Sequence, residues 1–101
     1  MFKDLDPLLH SQLRLAIMSL LVSVESSDFN FLLEKTGASK GNLSTQITKL
    51  KKAGYIEVEK HFRNNMPKTT CKATNKGVKA LEQYVKAISS YFPDSQKHGK
   101  P

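Results

Sequence analysis

Ser39-Lys40-Gly41-Asn42-Leu43-Ser44-Thr45-Gln46-Ile47-Thr48-Lys49-Leu50-Lys51-Lys52-Ala53-Gly54 carries the pattern of one amphipathic, lysine-rich helix. Ser39 is suited to cap a helix start, because its hydroxyl can accept from a backbone N–H that has no partner in the first turn. Leu43, Ile47 and Leu50 then recur at helical spacing on one face, and Gly54 supplies a stop. The opposite face carries Gly41, Thr45, Thr48, Lys49 and Lys52, with Asn42 and Gln46 on its flank. No acidic residue stands between Lys40 and Lys52.

Working outward, the residues before this helix form a shorter one. Ser26, Ser27 and Asp28 make a polar break able to cap a helix over residues 28–36 carrying Phe29, Leu32 and Leu33, with Gly37 at its end. A short helix, the brief turn Gly37-Ala38-Ser39 and an amphipathic second helix make a helix-turn-helix arrangement. Upstream, Asp6-Pro7 reads as cap and first position of a helix over residues 7–24 with a stripe of Leu9, Leu13, Ile17, Leu20, Leu21 and Val24. Leu8, Leu15 and Val22 lie on a different side, so this helix is apolar on two faces.

Downstream of Gly54 the period changes. Ile56, Val58, Lys60 and Phe62 alternate with Glu57, Glu59 and His61, and Arg63 to Pro67 is a polar loop before the threonine-rich run Thr69 to Thr74. The expectation is a hairpin over residues 55–74. Thr74 caps a last helix with Val78, Leu81, Tyr84, Val85, Ile88 and Phe92 at 3 and 4 spacing, ended by Pro93. The organisation expected is one domain over residues 1–92 with a flexible tail over 93–101.

Charge is unevenly placed. Among 101 residues there are 16 Lys and Arg against 9 Asp and Glu, a formal net charge of +7. Residues 1–36 hold three basic and five acidic side chains, and the remainder thirteen and four. A scattered excess of lysine serves solubility, but a clustered one fits a polyanionic partner. Besides the helix over 40–52, the hairpin clusters Lys60, Arg63, Lys68 and Lys72, with no acid from 60 to 72.

The run Ser39 to Leu50 with Gly54-Tyr55-Ile56, then Pro67, Thr69 and Thr74-Asn75-Lys76-Gly77, resembles the winged helix-turn-helix transcription regulators of the MarR and ArsR kind, closest to their minimal single-domain bacterial and archaeal members. The resemblance spans about residues 8–92. It implies a mainly α fold with a small β-hairpin (α+β): three helices, the hairpin as wing, and a long C-terminal helix. It also implies a homodimer built from the first and last helices, for which Leu8, Leu15, Val22, Tyr84, Ile88 and Tyr91 are the candidate interface residues.

For such a protein the expected partner is double-stranded DNA. A major groove admits one α-helix, Asn and Gln can pair with adenine, and threonine can touch a thymine methyl. The candidate DNA-binding residues are Ser39, Lys40, Asn42, Ser44, Thr45, Gln46, Thr48, Lys49 and Lys52, with Arg63 and Lys68 of the wing on phosphate or in the minor groove. The alternatives are a protein-assembly module on the same fold and a sequence-indifferent architectural DNA binder.

Other classes find no support. His10, His61 and His98 show no metal-ligand spacing, Cys71 is a lone cysteine read as a buried inert thiol, and no catalytic pair or phosphate-cradling glycine loop appears. No cofactor, metal or enzymatic activity is expected. No apolar run is long enough to span a bilayer, no signal segment is evident, and a cytoplasmic location is expected. Nothing in the sequence identifies a small-molecule effector.

Overall fold

The structure, a computed structural model, describes residues 2–92; the tail expected over 93–101, Pro93 included, lies outside them. In chain order the elements are α1 (Gln12–Val22), β1 (Ser27–Asp28), α2 (Phe29–Thr36), α3 (Lys40–Lys52), β2 (Ile56–Arg63), β3 (Met66–Ala73) and α4 (Asn75–Ser89). The expected α+β winged helix-turn-helix arrangement is present. None of the described helices is long and apolar enough to cross a membrane.

Three of the four helices start where a short polar side chain accepts from a first-turn N–H. Asp28 accepts from Phe31 N at 2.8 Å, Ser39 from Asn42 N at 3.2 Å and Thr74 from Gly77 N at 3.0 Å. Gly37 and Gly54 adopt the left-handed conformation, with φ of 70° and 80°. At the end of α3, Tyr55 N–H bonds the Leu50 carbonyl and Gly54 N–H the Lys51 carbonyl. That pair of bonds closes the helix end and reverses the chain into β2.

β2 and β3 are antiparallel, with Ile56 opposite Ala73 and Arg63 opposite Met66. The turn is tighter than the five-residue loop expected from the sequence. Asn64 and Asn65 both take positive φ, 54° and 65°, which is the two-residue turn whose twist matches that of the strands. The pair flanking such a turn exchanges both hydrogen bonds, so Pro67, one step along, loses nothing by lacking an N–H.

Three sequence expectations are corrected. The first helix begins at Gln12 and not at residue 7. Asp6 does cap, accepting from Leu8 N at 2.9 Å, but it caps a single turn that ends at Ser11, whose backbone is extended. Tertiary bonds hold that turn apart from α1: Tyr55 Oη donates to Asp6 at 2.5 Å and Arg14 Nε to the Leu8 carbonyl at 2.6 Å. The second correction is β1. Ser27 and Asp28, read as part of a cap, also pair with Cys71 and Thr70, making the sheet three-stranded in the order β1-β3-β2. A two-residue strand has no periodicity to detect. The last helix, read to residue 92, closes at Ser89, with single-turn bonds continuing to Phe92.

The core gathers Leu9, Ile17, Met18, Leu21, Leu32, Leu43, Ile47, Leu50, Ile56, Cys71 and Tyr84. Gly77 sits at its rim in the first turn of α4. A Cβ there would lie 2.1 Å from the Tyr55 carbonyl oxygen and 2.9 Å from Met18 Cε, so α4 rests directly on the backbone of the α3–β2 junction. Gly41 is the opposite case, with nothing within 4 Å of its would-be Cβ. Gly77→Ala should therefore destabilise the fold by about 2 to 4 kcal/mol through overpacking against backbone. Gly41→Ala should stabilise it by about 0.5 to 1 kcal/mol by removing glycine from a helix. Urea unfolding followed by circular dichroism measures both.

Burial pushes the Cys71 thiol up from 9.0 to about 11. Tyr55 rises from 10.0 to about 12, first through burial, then through its hydrogen bond to Asp6 and the charge of that carboxylate. Both groups hold their proton more tightly folded than unfolded, so their contribution is complete below pH 9 and is lost as pH climbs toward 12. The melting temperature should fall across that window. Tyr55→Phe should remove the part of the fall above pH 10, and Cys71 should resist alkylation until the chain unfolds.

Candidate nucleic-acid interface

The geometry of the site begins with which side of α3 the core leaves over. Leu43, Ile47 and Leu50 are buried, while Lys40, Gly41, Asn42, Ser44, Thr45, Thr48, Lys49, Lys51 and Lys52 are exposed. The α1 and β2 elements both pack against α3, holding its other sides. What faces outward is a surface without carboxylates, hydroxyl-bearing toward the middle and cationic toward the C-terminal end.

Hydrogen bonds within α3 decide what that surface offers. Thr45 Oγ1 donates to the Gly41 carbonyl and Thr48 Oγ1 to the Ser44 carbonyl, each at 3.0 Å. Their hydroxyl protons are thus committed to the helix, leaving methyl groups and acceptor lone pairs for a partner. Ser39, placed among the contact candidates, has its oxygen engaged as the helix cap.

Gln46 is engaged within the chain. Its Oε1 accepts from Arg14 Nη1 at 2.5 Å and its Nε2 donates to Asn42 Oδ1 at 2.9 Å, so both ends of the amide are bound within the chain. Arg14 in turn holds the Leu8 carbonyl. The result is a continuous path from the N-terminal turn through Arg14 and Gln46 to Asn42, whose two N–H donors are left for another acceptor. Arg14 was not singled out from the sequence, and no local spacing marks it, since it meets Gln46 only when α1 crosses α3.

The hairpin leans its α3-facing side over the same region. A hollow of about 330 Å³ is lined by Ser44, Ile47, Thr48 and Lys51 of α3, Phe29 of α2, and Val58, Lys60 and Thr69 of the hairpin. Two cations and three hydroxyls converge there. Lys51 was passed over as a contact candidate, although its position seven residues after Ser44 places it on the same stripe. Arg63 is exposed beside the turn and Lys68 is half-buried opposite His61. A larger hollow, about 590 Å³, lies across the sheet and is lined by Glu25, Glu57, Glu59, Ser26, Val58, Thr70 and Lys72. Its three carboxylates suit it poorly to a nucleic acid.

The proposed interface residues divide. Val22 and Tyr91 are exposed, and Leu8, Leu15 and Ile88 half-buried. Tyr84 is corrected: it is 6% exposed, lies in the core of its own chain, and its hydroxyl is 2.9 Å from His10 Nδ1. A tyrosine at that position of α4 points with Gly77 and Ala87 toward the domain, so little of it remains for a second chain. Beside that side α4 carries Val78, Leu81, Val85 and Ile88, spaced 3, 4 and 3; Val85 is exposed and the other three half-buried, with Leu81 and Ile88 packed against the core. Beside it, Phe2 stacks on Tyr91 with ring centroids 4.7 Å apart, and Lys3 N–H bonds Ser90 Oγ at 3.1 Å. Among the described residues no group of three or more His, Cys, Asp or Glu side chains is placed to hold a metal.

Comparison with known proteins bears on the same elements. A family described as a winged helix DNA-binding domain matches residues 13–92. An uncharacterized protein of Methanocaldococcus jannaschii is 37% identical over 79 residues, covering 78% of this chain and 86% of that one. Among solved structures, a transcriptional regulator homologue from Pyrococcus horikoshii OT3 superposes with a TM-score of 0.79 at 21% identity, over 89% of this chain and 88% of that one. The putative transcriptional regulator ytfH from Salmonella typhimurium does so with a TM-score of 0.71 at 15% identity, over 89% and 80%. At such identities these two show a shared fold.

Proposed function

This chain belongs to the winged helix DNA-binding domain family, and from that premise we propose that it is a sequence-specific transcription regulator that binds double-stranded DNA as a homodimer. Its family and fold are those of transcription regulators and not of enzymes. The observation that carries the reading is the outward face of α3, where Gly41, Thr45, Thr48, Lys49 and Lys52 are exposed and no carboxylate interrupts the run.

In this reading α3 enters the major groove. Thr45 and Thr48 turn methyl groups and acceptors to base edges, and Asn42 presents its N–H donors, fixed in rotation by Gln46 and Arg14. Gln46 acts through Asn42. Gly41 keeps the helix surface low where the groove floor approaches. Lys40, Ser44, Lys49 and Lys52 reach phosphates along the groove walls, as do Arg63 and Lys68 from the wing. Lys51 and Lys60, converging on the 330 Å³ hollow, hold a backbone phosphate between helix and wing.

The contributions of reading and holding separate experimentally. A duplex recovered by selection from a random pool is compared with unrelated DNA at fixed salt. Thr45→Ala is expected to cost about 1 to 3 kcal/mol on the selected duplex and little on unrelated DNA. Arg14→Ala and Gln46→Ala are expected to lower the same preference, and the double variant no further than either alone, because they interrupt one path. Lys52→Ala or Arg63→Ala is expected to weaken both DNAs together and to make the slope of log K against log salt shallower by about 0.9 per contact. Lysine variants that abolish binding, alongside Thr45, Arg14 and Gln46 variants that leave the preference unchanged, would establish an architectural binder instead. Failure of all duplexes to bind would leave the protein-assembly role.

The dimer is proposed to form along Val78, Leu81, Val85 and Ile88 of α4, with Val22, Leu8, Leu15, Phe2 and Tyr91 around it. A chain of this size buries a modest share of its surface alone, and an apolar seam on its last helix gains by pairing. Such a dimer would address half-sites about 34 Å apart. Light scattering coupled to gel filtration is expected to give twice the chain mass, and Val85→Glu half of that with helix content kept. A monomeric mass for the unaltered chain, unchanged by DNA, would exclude the symmetric arrangement.

A further inference from the structure

The tip of the hairpin is apolar where the fold has no use for it. Phe62 is 76% exposed and Met66 62% exposed, and Pro67, opposite Phe62 in the ladder, is exposed as well. Among the described residues no other ring stacks on Phe62. The turn itself needs the positive φ of Asn64 and Asn65 and makes no demand for an aromatic neighbour.

Strand alternation fixes where Phe62 points. It shares a sheet face with Ile56, Val58 and Lys60, and across the ladder with Pro67 and Thr69. Val58, Lys60 and Thr69 of that face line the hollow shared with Ser44, Thr48 and Lys51 of α3. Phe62 therefore continues the α3-facing side of the wing beyond the point where the core ends. Lys60, Arg63 and Lys68 surround it, and no acid occurs from 60 to 72. Phe62, Pro67 and Lys60 lie on the same side as α3, and Met66, Arg63 and Lys68 on the opposite face of the hairpin, so the tip carries apolar groups flanked by cations, complementary to a DNA groove, whose walls are phosphate and whose floor is stacked base.

We propose that Phe62 is a wedge that enters the minor groove beside the α3 site and partly unstacks one base step, kinking the duplex, while Met66 and Pro67 pack on the flanking sugars. The proposal rests on the DNA-binding reading above and adds deformation of the DNA to it. Lys60, Arg63 and Lys68 draw the phosphates onto the tip, and the ring replaces part of the stacking it disrupts. Flexible steps, TA above all, are the sites such a wedge selects.

The test uses the selected duplex with 2-aminopurine substituted for adenine at successive steps, and with dyes at its two ends for distance. The full chain is expected to raise the 2-aminopurine fluorescence at one step per half-site, outside the stretch covered by α3, and to bend the duplex by about 20° or more. Phe62→Ala is expected to abolish both signals and to weaken binding about tenfold, with the salt slope unchanged because no charge is lost. Phe62→Leu is expected to retain much of the kink, since an aliphatic wedge also unstacks a step. A duplex that binds without unstacking or bending, or a Phe62→Ala variant that bends it fully, would overturn the wedge and leave DNA binding intact. A chain that binds no duplex at low salt would remove both.

Discussion

The junction at Tyr55 is the constraint on which the other elements depend. The chain leaves α3 through the left-handed Gly54, and the next two backbone carbonyls are taken at once by one residue: Thr74 Oγ1 donates to Gly54 O at 2.6 Å and Thr74 N–H to Tyr55 O at 3.0 Å. Thr74 also caps α4. The same Tyr55 reaches back with its hydroxyl to Asp6, while Lys76 lies over its ring. The end of α3, both ends of the hairpin, the start of α4 and the N-terminal turn are thus fixed to one another within a few residues. Gly77 permits it, because any side chain there would meet the Tyr55 carbonyl.

From that fixed angle follows the division of α3 into three sides. Leu43, Ile47 and Leu50 close the core; Ser44, Thr48 and Lys51 look toward the hairpin; Gln46 meets α1 through Arg14 and holds Asn42 beside it. What remains carries hydroxyls, lysines and one glycine with open space above it. The bond from Arg14 to Gln46 gives that remaining surface a reference point outside α3. Arg14 also holds the Leu8 carbonyl, so hydrogen bonds run without a break from the N-terminal turn to Asn42.

Apolar surface is distributed as sharply as charge. Tyr84, Ala87 and Gly77 turn one side of α4 inward, and Val78, Leu81, Val85 and Ile88 are left along the next. On the hairpin, Phe62 and Met66 are exposed. Apolar side chains thus reach the surface in separate places, among them Val85 of α4 and the hairpin tip.

By itself the sequence determined the order and kind of the elements. Caps at Asp28, Ser39 and Thr74, stops at Gly37 and Gly54, and the change of period after Tyr55 are local, set by backbone groups that must be satisfied within a turn of where they lie. The lysine clusters and the buried triad of α3 were legible for the same reason, since helical spacing alone assigns residues to a face. Tertiary structure decided everything that depends on a contact between distant residues. It split the first helix at Ser11, added β1 to the sheet, bonded Gln46 to Arg14, took Tyr84 into the core, and made Arg14 and Gly77 essential to the arrangement. Arg14 and Gln46 stand 32 positions apart and Gly77 meets Tyr55 across the whole hairpin, so no pattern of neighbours along the chain records either contact. Only when the elements pack does a side chain acquire a partner that its own segment does not contain.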